Sequence, residues 1–330
     1  MPKKRSLPRI LQFSDKFTFN NTQQQDMVEE KILLQPGTLW TKAKKQTKHA
    51  LQCGALLCIP TESEFVEQDG VSFLVRIMSN LARKEQAKRQ QEKHNTSCAD
   101  FNPFLPYEED LFVADISDTH VCILNKYNVV DYHLLLITRA FEEQESWLTL
   151  QDFAAMWACM AEFDGLAFYN AGKTAGASQR HKHLQIVPLP LVPTGPQIPI
   201  EPLLGAAQFQ NSIATIPGFT FLHAFATLES CWQKPPFLAA KITLERYLSL
   251  LEAVGLQPGR GQFGAYNLLV TRKWMLLVRR AQEYFQSIPV NSLGFAGTLF
   301  VRDQQQMQIL KQHGPMTVLR NVAVPGLKVG

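Results

Sequence analysis

The chain of 330 residues is 45% hydrophobic and 19% charged, with a formal net charge of +4. That is the make-up of a globular protein with a large core and room for two domains. No apolar run approaches the ~20 residues a membrane-spanning helix needs, and the basic start MPKKRSLPRILQF lacks a signal-peptide core. A cytoplasmic protein with no membrane partner is therefore expected. No basic stripe alternates with aromatics, so nucleic acid is not an expected partner, whereas a weakly basic surface suits a small polyanion. The six cysteines, at 53, 58, 98, 122, 159 and 231, form no CxxC and no Cys/His group at zinc spacing. They read as buried free thiols, and no metal site is expected.

In chain order, QPGTLW from Gln35 reads as an irregular connection, and 81–100 (LARKEQAKRQQEKHNTSCAD) as a solvated, highly charged loop. HVCILNKYNVVDYHLLLITR (120–139) predicts two strands around a polar turn. In the next segment Leu150, Phe153, Met156, Trp157, Met160 and Phe163 recur at helical spacing, with Thr149 or Asp152 near the helix start. A short strand, LAFYN, a loop of small residues and a strand, HKHLQIV, follow, and then the proline-dense 187–202. In the second half, 265–286 can be laid over residues 121–144: NLLVTRK on VCILNK and MLLVRR on LLLITR. Thr271 and Arg272 then take the places of Asn125 and Lys126. An internal duplication and two generic hairpins both account for the echo. The second half has His223 and His313 but no HxH, so chemistry on paired histidines belongs to the first half.

On a strand, His181, His183 and Gln185 share one face, and Lys182, Leu184 and Ile186 the other. Three readings are open: a polar solvent face, a metal chelate, or covalent catalysis. The metal reading lacks a third ligand in any recognisable motif. The preceding NAGKTAGASQ favours catalysis, because its small residues let backbone N–H groups approach an anion. A neutral imidazole could then attack phosphorus.

With that loop in place, NAGKTAGASQRHKHLQIVP, from Asn170, resembles the catalytic signature of diadenosine tetraphosphate phosphorylases, also called ATP adenylyltransferases. These belong to the histidine-triad superfamily, alongside galactose-1-phosphate uridylyltransferase. FVADISDTHVCILNKYNVVDYHLLLITRAFEEQ resembles the family's nucleotide-pocket hairpin, and LLVTRKWMLLVRR and NSLGFAGTLFVRD its C-terminal segment. The resemblance implies that His183 takes AMP covalently, that His181 supports it, and that Gln185 bonds a phosphate oxygen. It implies phosphate contacts by Asn170, Gly176, Ala177, Ser178 and Gln179, and ribose or phosphate contacts by Asn125 and Lys126. Lys84, in NLARK, matches a substrate-contacting lysine, and Asn267 and Arg272 are assigned to nucleotide binding in the second half. Glutamine in place of a final histidine removes a proton carrier, which implies transfer to phosphate rather than hydrolysis. Lys182 stands where the uridylyltransferases have the proline of HPH, which points to the adenylyltransferase branch.

The expected fold is α+β: an antiparallel sheet with helices, in two related histidine-triad-like halves. Residues 1–60 form an N-terminal segment, 61–195 the catalytic half and 196–330 a degenerate second half. The expected activity is reversible phosphorolysis of diadenosine tetraphosphate (Ap4A) to ATP and ADP by a monomer. No cofactor is expected on the protein, and any Mg²⁺ arrives on the polyphosphate. A uridylyl transferase and a catalytically silent nucleotide-binding protein are the alternatives.

Overall fold

A computed structural model describes residues 31–78, 102–228, 231–258 and 263–326. Residues 1–30, the charged stretch 81–100 and Lys84 within it lie outside the described residues. Beyond the QPGT approach, α1 (Leu39–Cys53) ends at Gly54, whose φ of 78° makes a left-handed cap. β1 (Thr61–Gln68) and β2 (Val71–Met78) then form a hairpin that turns at Asp69–Gly70, both at positive φ.

The apolar runs of the first half become β3 (Phe112–Asp115), β4 (His120–Leu124), β5 (Leu134–Thr138), β6 (Gly165–Asn170) and β7 (His183–Pro188). Helix α2 (Leu150–Met160) links β5 to β6 and begins with a capping box: Thr149 accepts from the Asp152 N–H, and the Asp152 carboxylate accepts from the Thr149 N–H. The second half supplies β8 (Gln208–Gln210), β9 (Ile213–Thr215), β10 (His223–Thr227), α3 (Pro236–Ala253), β11 (Tyr266–Val270) and β12 (Trp274–Arg279). A small hairpin, β13 (Tyr284–Phe285) and β14 (Ile288–Pro289), leads to β15 (Thr298–Val301), α4 (Gln304–His313) and α5 (Pro315–Val322). β15 runs parallel to β2, so the last described strand packs on the first described hairpin.

β3 to β12 form one ten-stranded sheet in the order β3-β4-β5-β7-β6-β11-β12-β10-β9-β8. The order is a palindrome: β5–α2–β6–β7 has the connectivity of β10–α3–β11–β12, and the halves meet where β6 pairs with β11. The duplication is real, but the sequence overlay was misplaced. NLLVTRK and MLLVRR form β11 and β12, which take the positions of β6 and β7 rather than β4 and β5. All three pairs are short, largely buried hairpin strands, so local pattern cannot tell them apart.

Helices α2 and α3 pack on each other over one sheet face, where Trp157 Nε1 donates to Thr243 Oγ1 at 2.7 Å. Sandwiched in this way, α2 is buried on every side from Asp152 to Met160, not along a single stripe. The other face carries a second core built with β2, β15, α4 and α5. His183 and Gln185 of β7 point to that face.

Candidate active site

Strand β7 begins at His183, and His181 lies just before it in an isolated bridge to Glu143. Side chains alternate as the strand period requires. Lys182 points to the helix side, where its Nζ lies 2.6 Å from Asp152 Oδ2 and 3.0 Å from Glu142 Oε2. Burial raises the Asp152 pKa, but the His120 hydrogen bond and the Lys182 charge overturn that and hold the carboxyl well below its usual range. This buried ion pair fixes the strand from behind.

His183 is 4% exposed. Its Nδ1 lies 2.7 Å from the His181 carbonyl oxygen, which can only accept, so Nδ1 carries the proton and Nε2 keeps its lone pair. Burial depresses its pKa to about 4; the backbone bond opposes this and the charge of His181 adds to it. The imidazole is thus neutral near pH 7. The backbone N–H of His183 donates to Gln144 Oε1 at 2.8 Å, and Gln144 Nε2 donates to the Asn170 carbonyl, also at 2.8 Å. One buried amide therefore ties the end of β6 to the start of β7.

His181 does not reach the cavity. Its Nε2 donates to the Thr138 carbonyl at 2.8 Å, its Nδ1 accepts from Asn102 Nδ2 at 3.0 Å, and its ring stands edge-on to Phe104 and Phe141. It holds in place the carbonyl that sets the His183 tautomer. Gln185 is oriented by a chain of bonds. Asn125 Nδ2 donates to His133 Nδ1 at 3.2 Å, and His133 Nε2 donates to Gln185 Oε1 at 2.9 Å. That leaves the Gln185 amide N–H groups as donors to a ligand. Burial takes His133 down to about 4, outweighing the opposing Gln185 bond, so it too is neutral.

The loop between β6 and β7 turns at Gly172 (φ 86°) and Gly176 (φ 90°). A Cβ at Gly176 would sit 2.8 Å from the Val290 oxygen, so only glycine lets the loop lie against the second half. Asn267 Nδ2, Ser292 Oγ and the Ser292 N–H all donate to Asn170 Oδ1 at 2.7–2.9 Å, which fixes its amide as a donor. A cavity of about 490 Å³ results, lined by His183, Gln185, Asn170, Gly176, Ser178 and Gln179, with Asn125 and Lys126. Lys126 Nζ pairs with Glu108 Oε1 at 2.5 Å. Asn291, Leu293, Thr298 and Phe300 form the opposite wall.

Three assignments need correction. Ala177 lines a second hollow of about 800 Å³ across the loop, with Lys173 and Arg180. Asn267 lies fully buried behind Asn170 and positions it. Arg272 is away from the cavity: its Nε and Nη2 donate to the Met160 and Ala161 carbonyls at the end of α2, and its guanidinium lies 4.7 Å from the Trp232 ring centroid. It caps a helix C-terminus, as expected for a position outside the β4–β5 turn.

Sequence reasoning missed Gln144, Asn291 and Arg280. The guanidinium of Arg280 is buried and donates to Asn267 Oδ1 at 2.6 Å, to the Val290 carbonyl at 2.8 Å and to the Ala175 carbonyl at 3.2 Å. Burial lowers its pKa to about 9, so it is a cation at neutral pH, set behind the loop between β6 and β7.

Two family models match in sequence order: the Ap4A phosphorylase N-terminal domain over residues 29–206 and the ATP adenylyltransferase C-terminal domain over 217–325. The first alone covers more than half of the chain. The chain belongs to the Ap4A phosphorylase family. Among curated relatives, diadenosine 5',5'''-P1,P4-tetraphosphate phosphorylase 2 of Saccharomyces cerevisiae is 28% identical, covering 87% of this chain and 92% of its own. Protein APA1 of the same yeast is 24% identical over 82% and 88%. The fold matches the crystal structure of yeast Ap4A phosphorylase Apa2 with a TM-score of 0.69 at 22% identity, covering 90% and 98% of the two chains. The structure of Apa2 in complex with Ap4A matches with a TM-score of 0.68 at 23% identity, over 88% and 99%. In this Ap4A phosphorylase family chain, the N-terminal model contains His183 and its supports, and the C-terminal model contains the opposite wall.

Proposed function

We propose that this chain catalyses the reversible phosphorolysis of Ap4A to ATP and ADP through an adenylylated His183. The observation that carries the reading is the His183 Nε2 lone pair, left free in the cavity beside a loop built for phosphate. Nε2 attacks the α-phosphorus and the bond to the bridging β-phosphate oxygen breaks. ATP leaves with the bond electrons, and AMP stays on the imidazole. Orthophosphate then attacks the same phosphorus, the P–N bond breaks, and ADP leaves with neutral His183 restored. The adenylylated ring is cationic, and its Nδ1–H bond to the His181 carbonyl stabilises that charge. Charge that develops on the equatorial oxygens is met by the amides of Asn170 and Gln185, by loop N–H groups and by Lys126.

Gln185 has no proton to exchange with water, which favours phosphate as the acceptor. The cavity draws one wall from β7 and its loop and the other from residues 289–300 of the second half, so a single chain suffices and the protein acts as a monomer. Mg²⁺ arrives on the polyphosphate. Among the described residues no helix is long and apolar enough to cross a membrane, and the proposed compartment is the cytoplasm, where ATP and ADP are found.

Incubation with Ap4A labelled on an α-phosphate tests this reading. The expected result is an acid-labile adenylyl adduct on His183, and ATP release with ADP formed once phosphate is added. Products unchanged by phosphate, or an adduct that survives His183→Asn, would overturn it. Gln185→His is expected to raise the share of AMP, the hydrolysis product.

A further inference from the structure

Among the described residues, one group outside the nucleotide cavity brings three different metal-ligating side chains together. His49 and Cys53 stand one turn apart on α1 and so project from the same face. Asp110 meets them from the short helix Glu109–Leu111, packed beside α1. His49 Nε2 lies 2.7 Å from Asp110 Oδ1, and one ligand atom from each of His49, Cys53 and Asp110 falls within 4.8 Å of the others. Gln46 Nε2 donates to the Asp110 backbone oxygen at 2.7 Å and so holds the carboxylate's own backbone against α1.

We propose that His49, Cys53 and Asp110 form a surface site for a borderline-soft divalent cation of the zinc class, with water as the fourth ligand. One sulfur, one imidazole nitrogen and one carboxylate suit Zn²⁺ or Co²⁺. Mg²⁺ and Ca²⁺ prefer shells of oxygen ligands. Ligand bonds of about 2.0–2.3 Å at tetrahedral angles place donor atoms roughly 3.3–3.6 Å apart. The three side chains are exposed, so small rotations open the 2.7 Å His49–Asp110 pair and bring the thiol in without moving the helix. Cys53 carries no disulfide, and its thiol has only a 3.6 Å contact to the Ala50 carbonyl to give up. The site escapes a reading by sequence spacing because its third ligand comes from another element. It differs from the Mg²⁺ of the substrate in ligand chemistry and in place. The cation would grip a turn that begins at Glu108, the partner of Lys126 at the cavity edge.

The full-length reduced protein, stripped with chelator, would be titrated with Co²⁺ alone and followed by absorption. One equivalent is expected to give tetrahedral d–d bands together with a sulfur-to-cobalt charge-transfer band, and Zn²⁺ is expected to displace it. Cys53→Ser should abolish the charge-transfer band. His49→Ala and Asp110→Asn should each weaken binding at least about tenfold, a loss expected when one of three ligands is removed. Because all three side chains are exposed, circular dichroism should show the fold unchanged. Cys58→Ser, at the neighbouring exposed thiol, should leave the titration as it was. A spectrum without thiolate charge transfer, one that persists in Cys53→Ser, or one lost in Cys58→Ser would overturn the proposal. These outcomes are independent of Ap4A turnover.

Discussion

His183 and His223 make the same local bond in opposite halves of the molecule, and only one is left able to react. Each directs Nδ1 at the carbonyl two residues back: His183 to His181 at 2.7 Å, His223 to Phe221 at 2.8 Å. In both rings Nε2 therefore keeps the lone pair. In the second half that lone pair is taken up by the Ile216 N–H at 2.8 Å, with the ring edge-on to the stacked Phe219 and Phe221. In the first half Nε2 opens into a cavity. Burial lowers both pKa values, so neutrality does not distinguish them. What sets the proposed nucleophile apart is not its buried, neutral ring but a second nitrogen that no described residue bonds.

The sharpest way to break the comparison is to exchange the consequences. His183→Asn should lower phosphorolysis by roughly 10⁴-fold or more, as expected when the nucleophile is removed. His223→Asn should leave turnover unchanged and cost about 1–3 kcal/mol of stability, because it unpairs buried groups; a chemical denaturation curve reads this. If turnover fell equally in both variants, the distinction would fail.

Next in size is Gln144→Leu, which unties the His183 N–H from Asn170 and should reduce kcat by about 10²–10³-fold with the fold intact. Acid gives a smaller and graded effect. His183 and His133 have folded pKa values of about 4, below the 6.5 of a free histidine. The unfolded chain therefore takes up protons that the folded one refuses. Stability should be complete above about pH 6.5 and fall as the pH drops towards 4, by up to about 3 kcal/mol per histidine. Adenylylation in a single turnover should hold down to about pH 5 and halve near pH 4. A midpoint at 6.5 would place His183 in solvent. The smallest effect is expected of Arg272→Gln: unchanged kcat and KM, with a slightly lowered Tm from the lost helix cap.

The residues that were legible in sequence are those whose signal is local. The Asn170–Gln185 stretch carries its own loop glycines, its own alternation and its own histidine, and the structure collects most of it around one cavity. What escaped depends on contacts between distant segments. Gln144 sits in EEQES with nothing to mark it, and matters only because β6 and β7 end beside it. Arg280 and Asn291 act across the seam between the halves. The misplaced duplication has the same origin. VCIL, LLLIT, NLLV and MLLV are alike as buried strands, and only the position of the intervening helix shows which of them correspond.

The palindromic sheet has a consequence for how such a protein can change. In an assembly of two identical subunits every substitution is made twice, so a residue harmful at one site cannot be tolerated for its benefit at the other. With both halves on one chain and β6 joined to β11 in a continuous sheet, each position is free to vary alone. One half could retain a reactive histidine while its counterpart filled the equivalent space with Trp274, Leu276 and Val278, giving up a second reaction centre and becoming the wall of the first.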